Sequence, residues 1–193
     1  MDTVTRKVGV LGASGFAGGE LLRLLASHPH FEVVLASADR HAGRDVADVH
    51  PHLGIYRGLT LAAPDPSVLD GLDVAFLALP HGASGAMVPD LLGRVGLVVD
   101  LAADFRLRDP AAYPEWYGAP HPAPDLLAEA VHGIPELVGG RLAGARLVAA
   151  AGCYVTAAAL ALTPLVASGT VAASGVIVDA ASGVTVGRVI PGS

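Results

Sequence analysis

The sequence predicts an α/β fold, a doubly wound parallel sheet with helices on both faces. Three observations predict it. Continuous apolar runs of strand length recur at residues 8–11, 31–37, 74–79, 97–101 and 146–149, as expected of parallel strands buried on both sides. Helix-like stretches, such as residues 84–92, separate them. The first run ends in a glycine turn that opens a helix, so strand, turn, helix and strand follow one another from residue 7 onward. Composition agrees: of 193 residues 52% are hydrophobic and only 16% charged, too apolar for disorder.

The first strand, Val8-Gly9-Val10-Leu11, runs into Gly12-Ala13-Ser14-Gly15-Phe16-Ala17-Gly18-Gly19-Glu20. Leu21, Leu22, Leu24 and Leu25 then recur at helical spacing, and His28-Pro29 ends the helix. Gly12, Gly15 and Gly18 form G-x-x-G-x-x-G between strand and helix. Such glycines permit a tight turn and close backbone approach, and the helix N-terminus receives a pyrophosphate. This makes residues 1–150 a Rossmann-like, dinucleotide-binding domain by expectation, with Gly12, Ser14, Gly15 and Gly18 at the phosphates and Phe16 also against the cofactor.

The end of the second strand selects the cofactor. It closes on Ser37, followed by Ala38, Asp39 and Arg40, with Arg44 close behind. A hydroxyl beside a guanidinium suits a 2′-phosphate, which favours NADP, while Asp39 keeps NAD open. Pro80 and His81 follow the 74–79 strand, where ligands bind in an open α/β sheet. His81 reads as a polar wall residue rather than a base, since nothing in the sequence orients its ring. Asp100-Leu101-Ala102-Ala103-Asp104-Phe105-Arg106 follows the next strand. Arg106 suits a phosphate or carboxylate, or else pairs with Asp104 or Asp109.

Residues 104–140 carry six prolines with Tyr113, Trp116 and Tyr117, and read as a long functional loop. Beyond it, Arg146-Leu147-Val148-Ala149 leads through Gly152 to Cys153, the only cysteine, with a helix-like run over 157–167. That places a thiol on a glycine turn at a helix N-terminus, where free N–H groups favour a thiolate and an oxyanion. A strand is expected at residues 175–179. One helix and one strand cannot bury their own faces, so residues 151–193 read as the unfinished start of a second domain.

Net charge of −6 argues against nucleic acid or an anionic membrane as partner, and no apolar run is long enough to span a bilayer. A lone cysteine excludes an intrachain disulfide framework, which with the uncharacteristic N-terminus for export implies a cytoplasmic location. Among eight histidines only His50 and His52 are close, without a carboxylate or thiol at ligand spacing, so no metal is expected.

Six ordered motifs carry a resemblance. These are residues 12–20, Leu77-Ala78-Leu79-Pro80-His81-Gly82, Asp100 through Leu107, Trp116-Tyr117-Gly118, Val131-His132-Gly133-Ile134-Pro135-Glu136-Leu137 and Ala151-Gly152-Cys153-Tyr154-Val155-Thr156. Together, over about residues 6–183, they resemble the N-acetyl-γ-glutamyl-phosphate reductases of arginine biosynthesis, within the semialdehyde dehydrogenase superfamily. The resemblance implies an α+β catalytic and dimerisation domain beginning after the first domain, and a homo-oligomer at full length. It implies NADPH-dependent reduction of a small acyl phosphate to a semialdehyde, through a thioester on Cys153. Ser37 and Arg40 would face the 2′-phosphate, and Arg106 would hold the substrate.

Departures from the pattern matter. Ala151 and Val155 stand where the family has prolines, and His132 where it has tyrosine. The loop 180–188 lacks the family's lysine and one glycine. The family's catalytic histidine lies downstream of Ser193, so the sequence reads as C-terminally truncated. Two alternatives follow. One is the related reductase of lysine biosynthesis, acting on a carrier-bound aminoadipyl phosphate, against which Tyr154 speaks because that branch has asparagine after the cysteine. The other is an NADP-binding chain without catalysis.

Overall fold

The computed structural model describes residues 5–181. The chain divides into two compact units at Ala151/Gly152. The first holds six parallel strands: β1 (Arg6–Leu11), β2 (Phe31–Ser37), β3 (Val74–Leu77), β4 (Leu97–Asp100), β5 (Val131–Gly133) and β6 (Leu147–Ala150). Their order across the sheet is β2-β1-β3-β4-β6-β5. The chain leaves β1 for β2 on one side and returns to β3 on the other. Ligand clefts form at such a reversal, beyond the carboxyl ends of the strands.

Alternation along each strand splits the core in two. Val8, Val10, Val74 and Ala36 face one side with Leu22 and Leu25 of α1 (Phe16–Leu25) and Val46 of α2 (Val46–Val49). Leu11, Ala75, Leu77, Val98 and Leu147 face the other with Val88 and Leu91 of α3 (Ala83–Leu91). Each fully buried leucine contributes about 1.5–3 kcal/mol of apolar transfer. Both faces are thus covered, which explains why the strands read as unbroken apolar runs.

Residues 104–140 are more structured than their prolines imply. They contain α4 (Tyr113–Tyr117), β5 and α5 (Pro135–Val138). The edge strand β5 was invisible in sequence: three residues, one of them His132 and another a glycine at φ 151°, make no apolar run. Tyr113 fastens the segment. Its ring is fully buried, and its hydroxyl meets the Asp104 carbonyl (2.5 Å), the Leu107 carbonyl (3.1 Å) and the Leu107 N–H (3.2 Å).

In the second unit, α6 (Cys153–Ala167) starts four residues earlier than its apolar pattern, with Gly152 as N-cap. The strand expected at 175–179 is absent among the described residues: its own unit has no described strand that could take its backbone bonds. The atypical loop begins at Ala180 and runs to 188; from residue 182 onward it lies outside the described residues.

Replacing Tyr113 by Phe leaves the Asp104 carbonyl and the Leu107 N–H short of a buried partner. Urea denaturation should show a loss of about 1–3 kcal/mol with an unchanged m-value.

Candidate functional site: a dinucleotide cleft at the strand ends

The strand register sets the site. Ser37, Leu11, Leu77, Asp100, Ala149 and His132 lie side by side in one row across the six strands. The turns that leave this row carry most of the residues singled out in the sequence.

The β1–α1 turn is built on close contact. Gly12 has φ +79°, and a Cβ there would fall on the Ala78 carbonyl. A Cβ on Gly18 would fall on the Gly12 carbonyl, so α1 starts directly under the turn. No side chain caps α1, and its first turn carries no acidic residue. Its N–H groups and positive dipole end are therefore open to an anion.

A cleft of about 520 Å³ lies over this turn. Gly12 and Ser14 to Ala17 line one wall, Ser37 to His41 another, and Pro64 with Ala78 to Pro80 the rest. Gly12, Ser14, Gly15, Phe16, Ser37, Arg40 and Pro80 thus come together. Gly18 lies buried beneath, in contact with the turn.

The ribose end fits a phosphorylated cofactor. The Ser37 hydroxyl oxygen is buried and has no hydrogen-bond partner among the described residues. Arg40 is exposed and makes no ion pair among them. An orphan hydroxyl and a free guanidinium on one wall match a 2′-phosphate. Asp39 shares that wall.

His81 does not line the cleft. It sits against a hub that sequence reasoning missed, the buried Asp104. Asp104 accepts from the Gly82 N–H (2.9 and 3.1 Å) and from the Ser84 hydroxyl (2.7 Å). Its Oδ2 lies 3.6 Å from Nδ1 of His81, whose ring rests 4.4 Å from that of Tyr117. The ring is therefore oriented after all. The available signal was Asp104 four residues beyond the end of a strand, with Gly82 and Ser84 after the preceding one.

Arg106 pairs with neither Asp104 nor Asp109. Its Nε donates to the Ala150 carbonyl (3.0 Å) and its Nη2 to the Leu101 carbonyl (2.9 Å), tying the ends of β4 and β6. Nη1 has no partner among the described residues.

Asp100, also missed, is fully buried. Its Oδ1 accepts from the Ala102 N–H (3.0 Å), and its Oδ2 has no partner among the described residues. Burial, aided by nearby Asp104, pushes its carboxyl up from 3.8 to about 6. Burial likewise holds His121 and His132 below the usual histidine range.

In the second unit, Cys153 is the first residue of α6 and its thiol is exposed. Gly152 caps the helix without a side chain, and its carbonyl accepts from the Thr156 N–H (2.9 Å). No group of three His, Cys, Asp or Glu able to hold a metal occurs among the described residues. No helix among them is long and apolar enough to cross a membrane.

Fold and cleft define a dinucleotide-binding α/β domain. Residues 7–145 match the NAD-binding domain model of semialdehyde dehydrogenase, and the chain belongs to that family. It is 50% identical over 182 residues to an N-acetyl-γ-glutamyl-phosphate reductase of Symbiobacterium thermophilum, covering 94% of this chain and 52% of the relative. It is 48% identical over 180 residues to the reductase of that name from Azotobacter vinelandii, covering 93% and 52%. A LysW-L-2-aminoadipate/LysW-L-glutamate phosphate reductase of Aeropyrum pernix is 50% identical over 175 residues, covering 90% and 49%. The chain spans about half the length of these relatives. Aspartate semialdehyde dehydrogenase with NADP from Candida albicans shares the fold, with a TM-score of 0.60, 21% identity and coverage of 85% of this chain and 47% of that one.

The buried acid gives a pH signature. An acid whose pKa is higher folded than unfolded favours the fold fully below the unfolded pKa and less as pH rises through the folded one. Stability contributed by Asp100 therefore falls by about 2 kcal/mol between pH 4 and pH 7. Asp100→Asn should remove that decline, so urea midpoints of variant and parent, compared at pH 5 and pH 8, diverge in the variant's favour at pH 8.

Proposed function

We propose that this chain carries the cofactor domain and nucleophile of an NADPH-dependent reductase that converts N-acetyl-γ-glutamyl phosphate to N-acetyl-glutamate semialdehyde. The observation that carries the reading is Cys153, exposed at the first position of a glycine-capped helix directly after β6, in a chain half identical to reductases of that name.

The Cys153 sulfur attacks the acyl carbonyl, and the carbon–oxygen bond to phosphate breaks, leaving a thioester and inorganic phosphate. N–H groups of the first turn of α6 are suited to the oxyanion formed on the way. Bound NADPH would supply the hydride that reduces the thioester carbonyl. Collapse then breaks the carbon–sulfur bond, returns the Cys153 thiolate and releases the aldehyde. The glycine turn orients the pyrophosphate, and Ser37 with Arg40 selects the phosphorylated ribose. Arg106 would offer Nη1 to the substrate's phosphate or carboxylate while its other nitrogens hold the strand ends. Pro80 would wall the cofactor, while His81 lies outside the cleft lining, held by Asp104.

Residues 1–150 serve in this reading as the NAD(P)-binding domain and 151–193 as the start of the catalytic one. A cytoplasmic homo-oligomer at full length is part of the same proposal. The carrier-bound aminoadipyl phosphate reductase remains a second reading, because the Aeropyrum pernix relative is equally similar; Tyr154 favours the first.

Phosphate-dependent reduction of NADP by N-acetyl-glutamate semialdehyde, the reverse reaction, tests the proposal. Cys153→Ser should lower that rate by about 10³-fold or more. Saturable NADP binding with no turnover would instead favour a binding-only chain, and preference for the carrier-linked aldehyde would favour the second reading.

Arg40→Ala should weaken NADP about tenfold or more and leave NAD nearly unchanged, as read by fluorescence titration. Equal losses for both cofactors would overturn the assignment of Arg40 to the 2′-phosphate.

A further inference from the structure

We infer that His50 is a positioning residue for the cofactor, acting through the glycine turn. The inference rests on the dinucleotide reading of the cleft.

Ala13 is the buried second residue of that turn, and both its backbone groups are held. Its N–H donates to the Ser37 carbonyl at the end of β2 (2.8 Å). Its carbonyl meets Nε2 of His50 at 2.8 Å. A carbonyl only accepts, so Nε2 carries the proton. The His50 ring in turn lies over Gly19 of α1: a Cβ there would come within 2.6 Å of the ring. Gly19 is thus glycine because an imidazole occupies the space of its side chain. Neither residue belongs to the G-x-x-G-x-x-G pattern, and neither lines the cleft.

The segment bearing His50 is itself anchored to both halves of the cleft. Asp45 caps α2 through the Ala47 N–H (2.8 Å) and also accepts from the Gly58 N–H (2.6 Å). The Tyr56 hydroxyl donates to the Leu22 carbonyl of α1 (2.8 Å). Ala62 exchanges backbone bonds with Ala36 and Ala38, on either side of Ser37 (2.9 Å each). Residues 45–62 therefore brace the phosphate turn against the ribose wall, and His50 is the contact that reaches the turn. Fixing the Ala13 peptide pre-orders the N–H groups that follow it, so less order must be imposed when a pyrophosphate binds.

The signature differs from that of a ribose contact. His50→Ala should weaken NADP and NAD alike, by about fivefold to tenfold, since one hydrogen bond is lost under a shared pyrophosphate site. Affinity for 2′-phosphoadenosine, which has no pyrophosphate, should not change. His50→Gln, which can still donate to the Ala13 carbonyl, should restore most of the loss. Gly19→Ala should weaken NADP by about fivefold in the parent and by less than about twofold when combined with His50→Ala, the coupling expected of two residues in contact. Dissociation constants come from fluorescence titration, with thermal melts recorded for each variant. If the parent binds neither dinucleotide, the cofactor reading falls and takes this inference with it. If the parent binds and folded His50→Ala binds as tightly, or loses 2′-phosphoadenosine equally, the inference alone is overturned.

Discussion

The closeness of three backbones, at Gly12, Gly18 and Ala78, governs the rest of the first unit. With any side chain at Gly12, β1 would have to move away from the end of β3. With one at Gly18, α1 would lift off the turn. Either shift would spoil the parallel register in which Leu11 stands beside Leu77. The cost of a positive φ at a residue other than glycine adds to the clash. Packing and function therefore make the same demand here. The glycines that let two core faces close around β1 also expose an uncapped helix end to whatever occupies the cleft.

A second constraint organises the strand ends farther along the sheet. The run from Asp100 to Arg106 assigns three charged residues to three structural tasks. Asp100 closes the turn after β4 onto Ala102, Asp104 anchors the start of α3 through Gly82 and Ser84, and Arg106 joins β4 to β6. Two buried carboxylates near one another are unfavourable unless hydrogen bonds or protonation relieve them. Asp104 is relieved by its donors. Asp100 has one donor and an orphan oxygen, so it takes the other route and holds its proton toward neutral pH.

Much of this fold was legible because buried parallel strands leave a strong mark. β2 matched its apolar run at both ends, and β1, β3, β4 and β6 matched to within two residues. The glycine turn was legible for the same reason, since few other contacts demand glycine at that spacing. What was hidden depends on tertiary partners. β5 exists because β6 offers an edge, and three residues with a histidine carry no signal for that. The roles of Asp104 and Arg106 were hidden because their partners lie 20 to 44 positions away, or are main-chain carbonyls that any residue could supply. Ser37 and Arg40 were legible as types but not as an orphan hydroxyl and a free guanidinium.

That last pair shows how the two ends of the cleft divide the work. At the turn, recognition is geometric: backbone N–H groups and a helix dipole suit any pyrophosphate, and the fold must exclude side chains to present them. At the wall of Ser37 and Arg40, recognition in the proposed reading rests on charge and hydrogen bonding. An exposed guanidinium costs little when empty, because water solvates it, and an exposed partner would stabilise it by no more than about 1 kcal/mol. A buried hydroxyl left without a partner does cost stability. The combination makes sense if the missing partner is supplied by ligand, since a dianionic phosphate satisfies both groups at once. In the proposed NADP reading, unsatisfied polarity at Ser37 and strict glycine geometry at Gly12 are two halves of one requirement, a site whose backbone is finished before the cofactor arrives and whose hydrogen bonds would be finished by it.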